Sequence, residues 1–436
     1  MADLQGEVLD WLSIPSISAG ARDEEALRHA AAWAIQRVRR AGGTAEMVDT
    51  PGGAPLVVGE LRSAKKNAPT VMIYGHYDVQ DPGDPELWDS PPFEPTIRDG
   101  RIYARGATDD KGNFLPLLHV ACELGKAGKL PVHIRVLIEG AEETGSDDVG
   151  EWVRQDARGA DAVIVFDSGM VDADRPALTL ATRGMVFAHV EVRTGTQTAH
   201  SGMYGGAALN AFHALHRALA AVLPGADGKL PEPLRAGVQP PSPAEIESWK
   251  TLPTGEEELA GVGARPSDPT ATAEFYVRTT AEPSVDVHRV SGGQARTIVV
   301  PVAEADLSVR IVGGQRSEEI ARNLEQLLRD ALPDGAELVF SAERAEPSAF
   351  DPEHPVLQAA QRALEKATGV APALVRTGGT LPVLAAFAER GIPAIVSGFS
   401  LPDDALHAPN ESYRLVALEQ GAAAAKALYE ELGALK

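Results

Sequence analysis

The sequence is poor in cysteine and in basic side chains, and each shortage excludes a class of protein. Its single cysteine, Cys122, rules out an intrachain disulfide, and a chain of 436 residues can bury a large core without one. Acidic residues outnumber basic ones by 62 to 40, which gives a net charge of −22. A surface with this charge disfavours nucleic acid and anionic membranes as partners.

Long hydrophobic runs are missing as well. No stretch approaches the roughly 18 apolar residues that a transmembrane helix needs. The N-terminal residues lack the basic start and the apolar core of a signal peptide. We therefore expect a cytoplasmic protein with no membrane partner.

The sequence does contain short apolar strands that alternate with amphipathic helices, which favours a mostly parallel, mixed sheet flanked by helices. Such strands are predicted at 56–61, 70–74, 132–138, 162–166 and 394–397. Between 184 and 346 the strands become polar on one face, and the proline-rich segment 224–270 shows little periodicity and is interpreted as a surface excursion. We predict an α/β domain formed by 1–183 and 347–436, interrupted by an inserted α+β domain at 184–346.

Histidine and acidic residues follow several of these strands. In open α/β sheets, binding sites collect at the carboxyl ends of the strands. The candidate metal ligands are His76, Asp109, Glu143, Asp167 and His407. Mixed imidazole and carboxylate ligands suit zinc, or manganese or cobalt. Two such ions, about 3.5 Å apart, need a bridging carboxylate and can share an activated water. Glu142, beside Glu143, is available to take the proton of that water.

Each of these features also has a simpler interpretation. His76 and Asp78 could form an ion pair at a strand end, and Glu142 could begin a solvated acidic loop. Asp109 and Asp110 could cap a helix, which is a common use of aspartate. Taken alone, His407 could be a surface histidine and Arg310 a salt-bridged strand residue.

The order of the motifs distinguishes between these interpretations, because together they closely resemble the M20 metallopeptidases. Within that family the motifs are most similar to those of the carnosinase-like cytosolic dipeptidases. The matching stretches are Gly75–Gln80, Trp88, Pro92–Phe93, Gly100–Gly112, Glu139–Ser146, Asp167, His200–Gly202, Arg310, Gly378–Thr380 and His407. The resemblance implies a zinc-peptidase-like catalytic domain with an inserted lid and dimerisation domain.

The resemblance also implies a role for each candidate ligand. His76 and Asp167 would bind one divalent metal ion, Glu143 and His407 would bind a second, and Asp109 would bridge the two. Zinc is expected, with manganese or cobalt as alternatives. The peptide bond after Asp109 would be cis.

The remaining roles implied by the resemblance concern catalysis and the substrate. Asp78 would orient His76, and Glu142 would be the general base. His200 would stabilise the oxyanion in the active site of the partner subunit of a homodimer. Contacts to the substrate would come from His200, Thr297, Arg310 and Thr380, with Arg310 binding its free carboxylate.

The expected reaction is metal-dependent hydrolysis of the amide bond of dipeptides or similar small peptides with a free C-terminal carboxylate. An N-acyl-amino-acid deacylase or a carboxypeptidase of the same family is the alternative within the enzymes. A catalytically silent binding protein is the alternative outside them.

Overall fold

The computed structural model describes residues 2–145, 147–378 and 381–435, and the chain divides into two compact units. The first unit comprises Met1–Leu180, Phe350–Val375 and Val383–Lys436. The second comprises Ala181–Ala349 and Arg376–Pro382. Among the described residues, no helix combines the length and the apolar character needed to cross a bilayer.

The helices are numbered in chain order. They are α1 (Ala2–Leu12), α2 (Glu24–Arg40), α3 (Lys111–Lys126), α4 (Asp148–Gln155), α5 (Ser201–Tyr204), α6 (Ala211–Ala220), α7 (Glu232–Arg235), α8 (Pro243–Trp249), α9 (Gly255–Gly261), α10 (Ser317–Asp330), α11 (Pro355–Thr368), α12 (Pro382–Glu389) and α13 (Leu415–Leu432).

The strands are numbered in the same way. They are β1 (Thr44–Val48), β2 (Leu56–Leu61), β3 (Thr70–His76), β4 (Thr96–Arg98), β5 (Arg101–Tyr103), β6 (His133–Glu139), β7 (Ala162–Phe166), β8 (Ala177–Thr182), β9 (Gly184–Arg193), β10 (Ala199–His200), β11 (Ser284–Gly292), β12 (Ile298–Val299), β13 (Val302–Ile311), β14 (Glu337–Ala345), β15 (Ser348–Ala349), β16 (Ala373–Thr377), β17 (Ala394–Ser397) and β18 (Ser412–Arg414).

A mixed sheet forms the centre of the first unit, with strands in the order β1-β2-β6-β3-β7-β17-β8. The four central strands are β6, β3, β7 and β17, and each of them pairs in parallel with the next. The strands beyond them on both sides pair antiparallel. The predicted α/β class with a mostly parallel centre is confirmed, and the central strands are nearly continuous apolar runs because both faces are covered.

Strand β3 shows how helices cover both faces of this sheet. On one face, the aromatic ring of Tyr74 contacts that of Phe387 in α12, with centroids 6.2 Å apart. On the other face, Gly75 lies against the start of α3, where an added Cβ would clash with Phe114 and lie 2.6 Å from Asp110 Oδ2. The strand continues past Gly75 to His76, so this glycine does not end it. Its lack of a side chain instead allows α3 to approach the sheet closely.

The second unit contains a four-stranded antiparallel sheet in the order β11-β13-β9-β14. Side chains of β9 alternate between buried and partly exposed, because one face of the sheet packs in a core with α6 and α10.

The segment 224–270 shows little periodicity in its sequence, but it is not irregular throughout. It contains α7, α8 and α9. Capping boxes open α8, at Ser242 and Glu245, and α9, at Thr254 and Glu257. This Ser/Thr-x-x-Glu spacing is a readable helix-start signal that the search for periodicity overlooked.

Candidate metal centre

The predicted ligands of the first unit lie at the ends of its parallel strands and in two loops. His76 is the last residue of β3, Asp167 directly follows β7, and Glu143 lies in a short turn after β6. Asp109 precedes α3, and His407 lies in the loop between β17 and β18. The fold therefore gathers residues that are up to 331 positions apart in the sequence (76 to 407).

These five side chains form two groups that share one carboxylate. One group is His76, Asp109 and Asp167, and the other is Asp109, Glu143 and His407. Within each group the candidate ligand atoms lie within 4.8 Å of one another.

Asp109 lies between the two histidines. Its Oδ1 is 3.0 Å from His76 Nε2, and its Oδ2 is 2.8 Å from His407 Nε2. His407 Nε2 is also 3.1 Å from Glu143 Oε2, and His76 Nε2 is 4.0 Å from Asp167 Oδ1. One carboxylate oxygen thus faces each group, as expected of a bridging ligand. The Asp109–Asp110 peptide bond is cis.

The arrangement of these residues fits divalent cations. Glu143 Oε1 is buried and has no hydrogen-bond partner among the described residues. A buried carboxylate oxygen without a donor is costly in a folded protein unless an ion or water completes it. The donors are two imidazoles and three carboxylates, which is the chemistry of zinc, manganese or cobalt sites.

Asp78 belongs to neither group, but it contacts a member of each. Its buried carboxylate accepts hydrogen bonds from the Ser18 hydroxyl and from the backbone N–H groups of Glu142 and Glu143, at 3.3 and 3.2 Å. His76 Nδ1 lies 3.0 Å from the backbone carbonyl of Asp78 and 3.4 Å from its Oδ1. Asp78 therefore fixes a ligand of each group, which is the usual role of residues behind metal ligands.

Burial and crowding of charge shift the pKa values of the site. Burial, together with nearby carboxylates, raises the pKa of Glu142 to about 9 and that of Asp167 to about 7. Hydrogen bonds to Asp109 and Glu143 raise the pKa of His407 to about 10. Burial opposes protonation of His76, but contacts with Asp109 and Asp78 outweigh it and raise its pKa. In the absence of cations the site holds protons, which binding of a divalent cation would release.

Glu142 differs from its neighbour Glu143. Its backbone N–H is fixed by Asp78, but its carboxylate makes no hydrogen bond or ion pair with any described residue. Glu142 is therefore held through its backbone next to Glu143, while its carboxylate has no such bond to the described residues.

The second unit contains three further predicted site residues that the structure describes. His200 in β10 pairs with Ile298, and the N–H of the following Ser201 donates to the carbonyl of Thr297 at 3.0 Å. His200 and Thr297 are thus close together and exposed. Arg310 in β13 is half-buried, and its guanidinium has no hydrogen bond or ion pair among the described residues. Thr380 lies outside the described residues.

Three residues that support the centre were missed in the sequence. Gln80 donates to Glu143 Oε2 at 2.9 Å, and Glu411 binds the backbone around Asp109. Gln80 continues the spacing of two that links His76 and Asp78, so its position carried a readable signal. The position of Ser18 carried no such signal, because Ser18 is 60 residues from Asp78 in the sequence.

Comparisons with known proteins identify the family of the chain. Residues 72–431 match the model of "Peptidase family M20/M25/M40". The cysteinylglycine-S-conjugate dipeptidase of Corynebacterium striatum is 29% identical, over 88% of this chain and 85% of its own length.

Solved structures are similar over nearly all of the chain. Human carnosine dipeptidase 1 is 26% identical with a TM-score of 0.72, and the comparison covers 100% of this chain and 96% of that one. The M20 family metallo-carboxypeptidase Sso-CP2 of Sulfolobus solfataricus shares the fold, with a TM-score of 0.83 at 24% identity over 100% of both chains. Since the family model spans most of the sequence, this chain belongs to peptidase family M20/M25/M40.

Proposed function

We propose that this chain is a dinuclear metallodipeptidase that hydrolyses the amide bond of dipeptides or similar small peptides with a free C-terminal carboxylate. The observation that carries the proposal is the sharing of Asp109 by two potential ligand groups. The names of two relatives support the substrate class, because one is a cysteinylglycine-S-conjugate dipeptidase and the other a carnosine dipeptidase.

The chain would hold one ion through His76 and Asp167 and the other through Glu143 and His407, with Asp109 contacting both. Two bound divalent ions supply Lewis acidity, which activates water and polarises the scissile carbonyl. Zinc is the proposed metal, with manganese or cobalt as alternatives.

Glu142 is the proposed general base. It accepts a proton from the attacking water and then donates it to the leaving amine. Asp78 keeps Glu142 in place through the backbone N–H and holds His76 through its imidazole. The Glu142 carboxylate suits this cycle, because it makes no hydrogen bond or ion pair with the described residues. Gaining or losing a proton therefore breaks no such bond.

The inserted segment 184–346, which lies within the second unit, is the proposed lid and dimerisation domain. His200 would donate to the developing oxyanion in the partner subunit of a homodimer. Arg310 would bind the free carboxylate of the substrate, for which its unpaired guanidinium is suited. Thr297 and Thr380 would make supporting contacts. We also propose a cytoplasmic location.

A substrate panel on metal-reconstituted protein tests the proposal. Dipeptides, including cysteinylglycine and β-alanyl-histidine, should be cleaved faster than N-acetyl and N-succinyl amino acids. Faster cleavage of the N-acyl compounds would assign the chain to the deacylases. Loss of carboxyl-terminal residues from longer peptides would assign it to the carboxypeptidases. Metal analysis that finds fewer than two equivalents per chain, together with no turnover, would favour a binding protein.

A further inference from the structure

The buried carboxylate of Glu411 fixes the loop that carries Asp109. Its Oε2 accepts hydrogen bonds from Arg105 Nη1 at 2.7 Å and from the Gly106 N–H at 2.9 Å. Its Oε1 accepts from the N–H groups of Thr108 and Asp109, at 2.8 and 3.2 Å. Both oxygens are saturated, and Glu411 is fully buried. The carboxylate therefore sets the path of the backbone from Gly106 to Asp109.

Glu411 also anchors the loop that carries His407, since it lies four residues further along the chain. Three non-glycine residues of this loop have a positive φ: Ala405 at 56°, His407 at 58° and Asn410 at 62°. Residues other than glycine rarely adopt this conformation unless their surroundings impose it. The Ala104 N–H donates to the carbonyl of Glu411 at 3.1 Å, which ties the end of the loop to the same segment.

The beginning of the His407 loop is anchored to that segment as well. The carboxylate of Asp404 accepts hydrogen bonds from Thr108 Oγ1 at 3.3 Å and from the Leu401 N–H at 2.7 Å, and it also contacts Arg101. Asp404 thus holds the loop without touching the backbone of Asp109. Glu411 binds the Asp109 backbone through its carboxylate and is itself at the end of the His407 loop.

The charge of Glu411 is compensated away from the metal centre. Arg105 is 2% exposed, lies over the ring of Trp88 at 5.5 Å, and donates to the Asp81 carbonyl at 3.3 Å. The guanidinium thus faces the segment 81–88, while the other contacts of Glu411 face the backbone of Asp109. Glu411 belongs to neither ligand group, so any effect on metal binding must act through Asp109 and His407.

We propose that Glu411 is a positioning residue that fixes Asp109 and His407 relative to each other. It thereby sets the affinity for the second cation, which is the cation of the group Asp109, Glu143 and His407. This inference rests on the proposed function. The second group depends on Glu411 through two of its three members, whereas the first group depends on it through Asp109 alone. The other members of the first group, His76 and Asp167, are held at the ends of buried strands.

The test is a titration of the metal-free full chain with Zn²⁺ in competition with a chromophoric chelator. In Glu411→Gln, one oxygen becomes an NH₂ group that faces two donors. Loss of a partner behind a metal ligand typically costs about 10–100-fold in affinity. We expect a loss of this size for the equivalent of zinc that binds the second group, called the second equivalent whatever the order of filling, and a smaller loss for the other equivalent.

Asp156→Asn is the matched control. The Asp156 carboxylate also accepts from one arginine, Arg135, and from two backbone N–H groups, those of Gly159 at 3.0 Å and Arg158 at 3.4 Å. It belongs to neither ligand group. This variant should lose thermal stability without any change in zinc affinity. If Glu411→Gln does not fold, Asp404→Asn replaces it and should weaken the second equivalent alone.

The outcomes separate the inference from the function on which it rests. Unchanged binding of both equivalents by a folded Glu411→Gln would overturn the inference, as would equal losses of affinity in Glu411→Gln and Asp156→Asn. If Asp404→Asn has to be used, unchanged affinity for the second equivalent would overturn it too. A wild-type chain that binds fewer than two equivalents would overturn the proposed function, and the inference with it.

Discussion

The predicted site residues of the first unit contact one another, whereas His200 and Thr297 of the second unit face solvent. His76 and Asp78 are fully buried, and each contacts another predicted site residue. His200 and Thr297 are exposed, and Arg310 has no partner among the described residues. The first set is preorganised for a small, highly charged ligand. The second set presents donors that are still available to a ligand or to another chain.

This difference indicates where binding energy is used. A centre whose ligands are fixed in advance loses little conformational entropy when ions bind. Exposed donors such as His200 become effective only when water is displaced from them. Changes in the first unit should therefore affect metal content or the chemical step, and changes in the second should affect substrate or assembly.

Metal removal should have the largest effect, and it should act on the first unit. Chelation is expected to abolish activity, and Zn²⁺, Mn²⁺ or Co²⁺ should restore it. Metal at about 1,000 times its Kd would add about 4 kcal/mol to the free energy of unfolding. Calorimetry with and without metal measures this gain. Full activity in the presence of excess chelator would contradict the assignment of the metal centre.

Glu142→Gln should cost the next largest amount. Loss of a general base typically lowers kcat by about 10²–10⁴-fold. Because Glu142 belongs to neither ligand group, both metal equivalents should remain bound. Steady-state kinetics and metal analysis of the same preparation measure the two quantities. Glu143→Gln is the control, since it should lose metal as well as turnover.

His200→Ala should lower kcat by about 10²–10³-fold, as expected for the loss of one oxyanion donor. Mixing this variant with Glu142→Gln distinguishes the subunit that His200 serves. If it acts across a dimer, mixed dimers combine an intact Glu142 with the partner's intact His200, and activity returns. If both residues serve the same subunit, mixing restores nothing.

Arg310→Ala should act on binding more than on chemistry. Loss of a charged hydrogen bond of about 1.5–3 kcal/mol would raise KM about 10–100-fold for substrates with a free carboxylate. Amidated dipeptides, which lack that charge, should be poor substrates of the wild type and change little in the variant. Equal cleavage of free and amidated dipeptides by the wild type would show that Arg310 has another role.

Features encoded by local sequence could be predicted, and those that depend on distant contacts could not. The apolar, β-branched composition of 70–74 predicted a strand, and the His-x-Asp spacing after it indicated a metal site. The edge strand β1 was missed because its five residues, only one of them buried, carry little hydrophobic signal.

The residues that support the metal centre show the same limit. Glu411 works by accepting from backbone N–H groups about 300 positions away, and backbone donors are the same for every residue type except proline. Nothing in the residues around Glu411 therefore indicates its partners. The resemblance to a family supplied the ligands because it carries information about the fold that local patterns lack.

Cys122 should give the smallest effect on activity, although it lies in the same unit as the metal centre. The thiol is fully buried in α3, and burial raises its pKa to about 12. At pH 8 a thiol with the ordinary pKa of about 8.5 is roughly one-quarter thiolate, but at a pKa near 12 the fraction is only about 10⁻⁴. Since the thiolate is the reactive form, a disulfide reagent at pH 8 should leave the native enzyme fully active and label one thiol only after denaturation. Cys122→Ala should give no signal and retain kcat. Rapid labelling of the native wild type with loss of turnover would show that the first unit opens around α3. The first unit would then not be the preorganised part of the molecule, and its contrast with the exposed donors of the second unit would not hold.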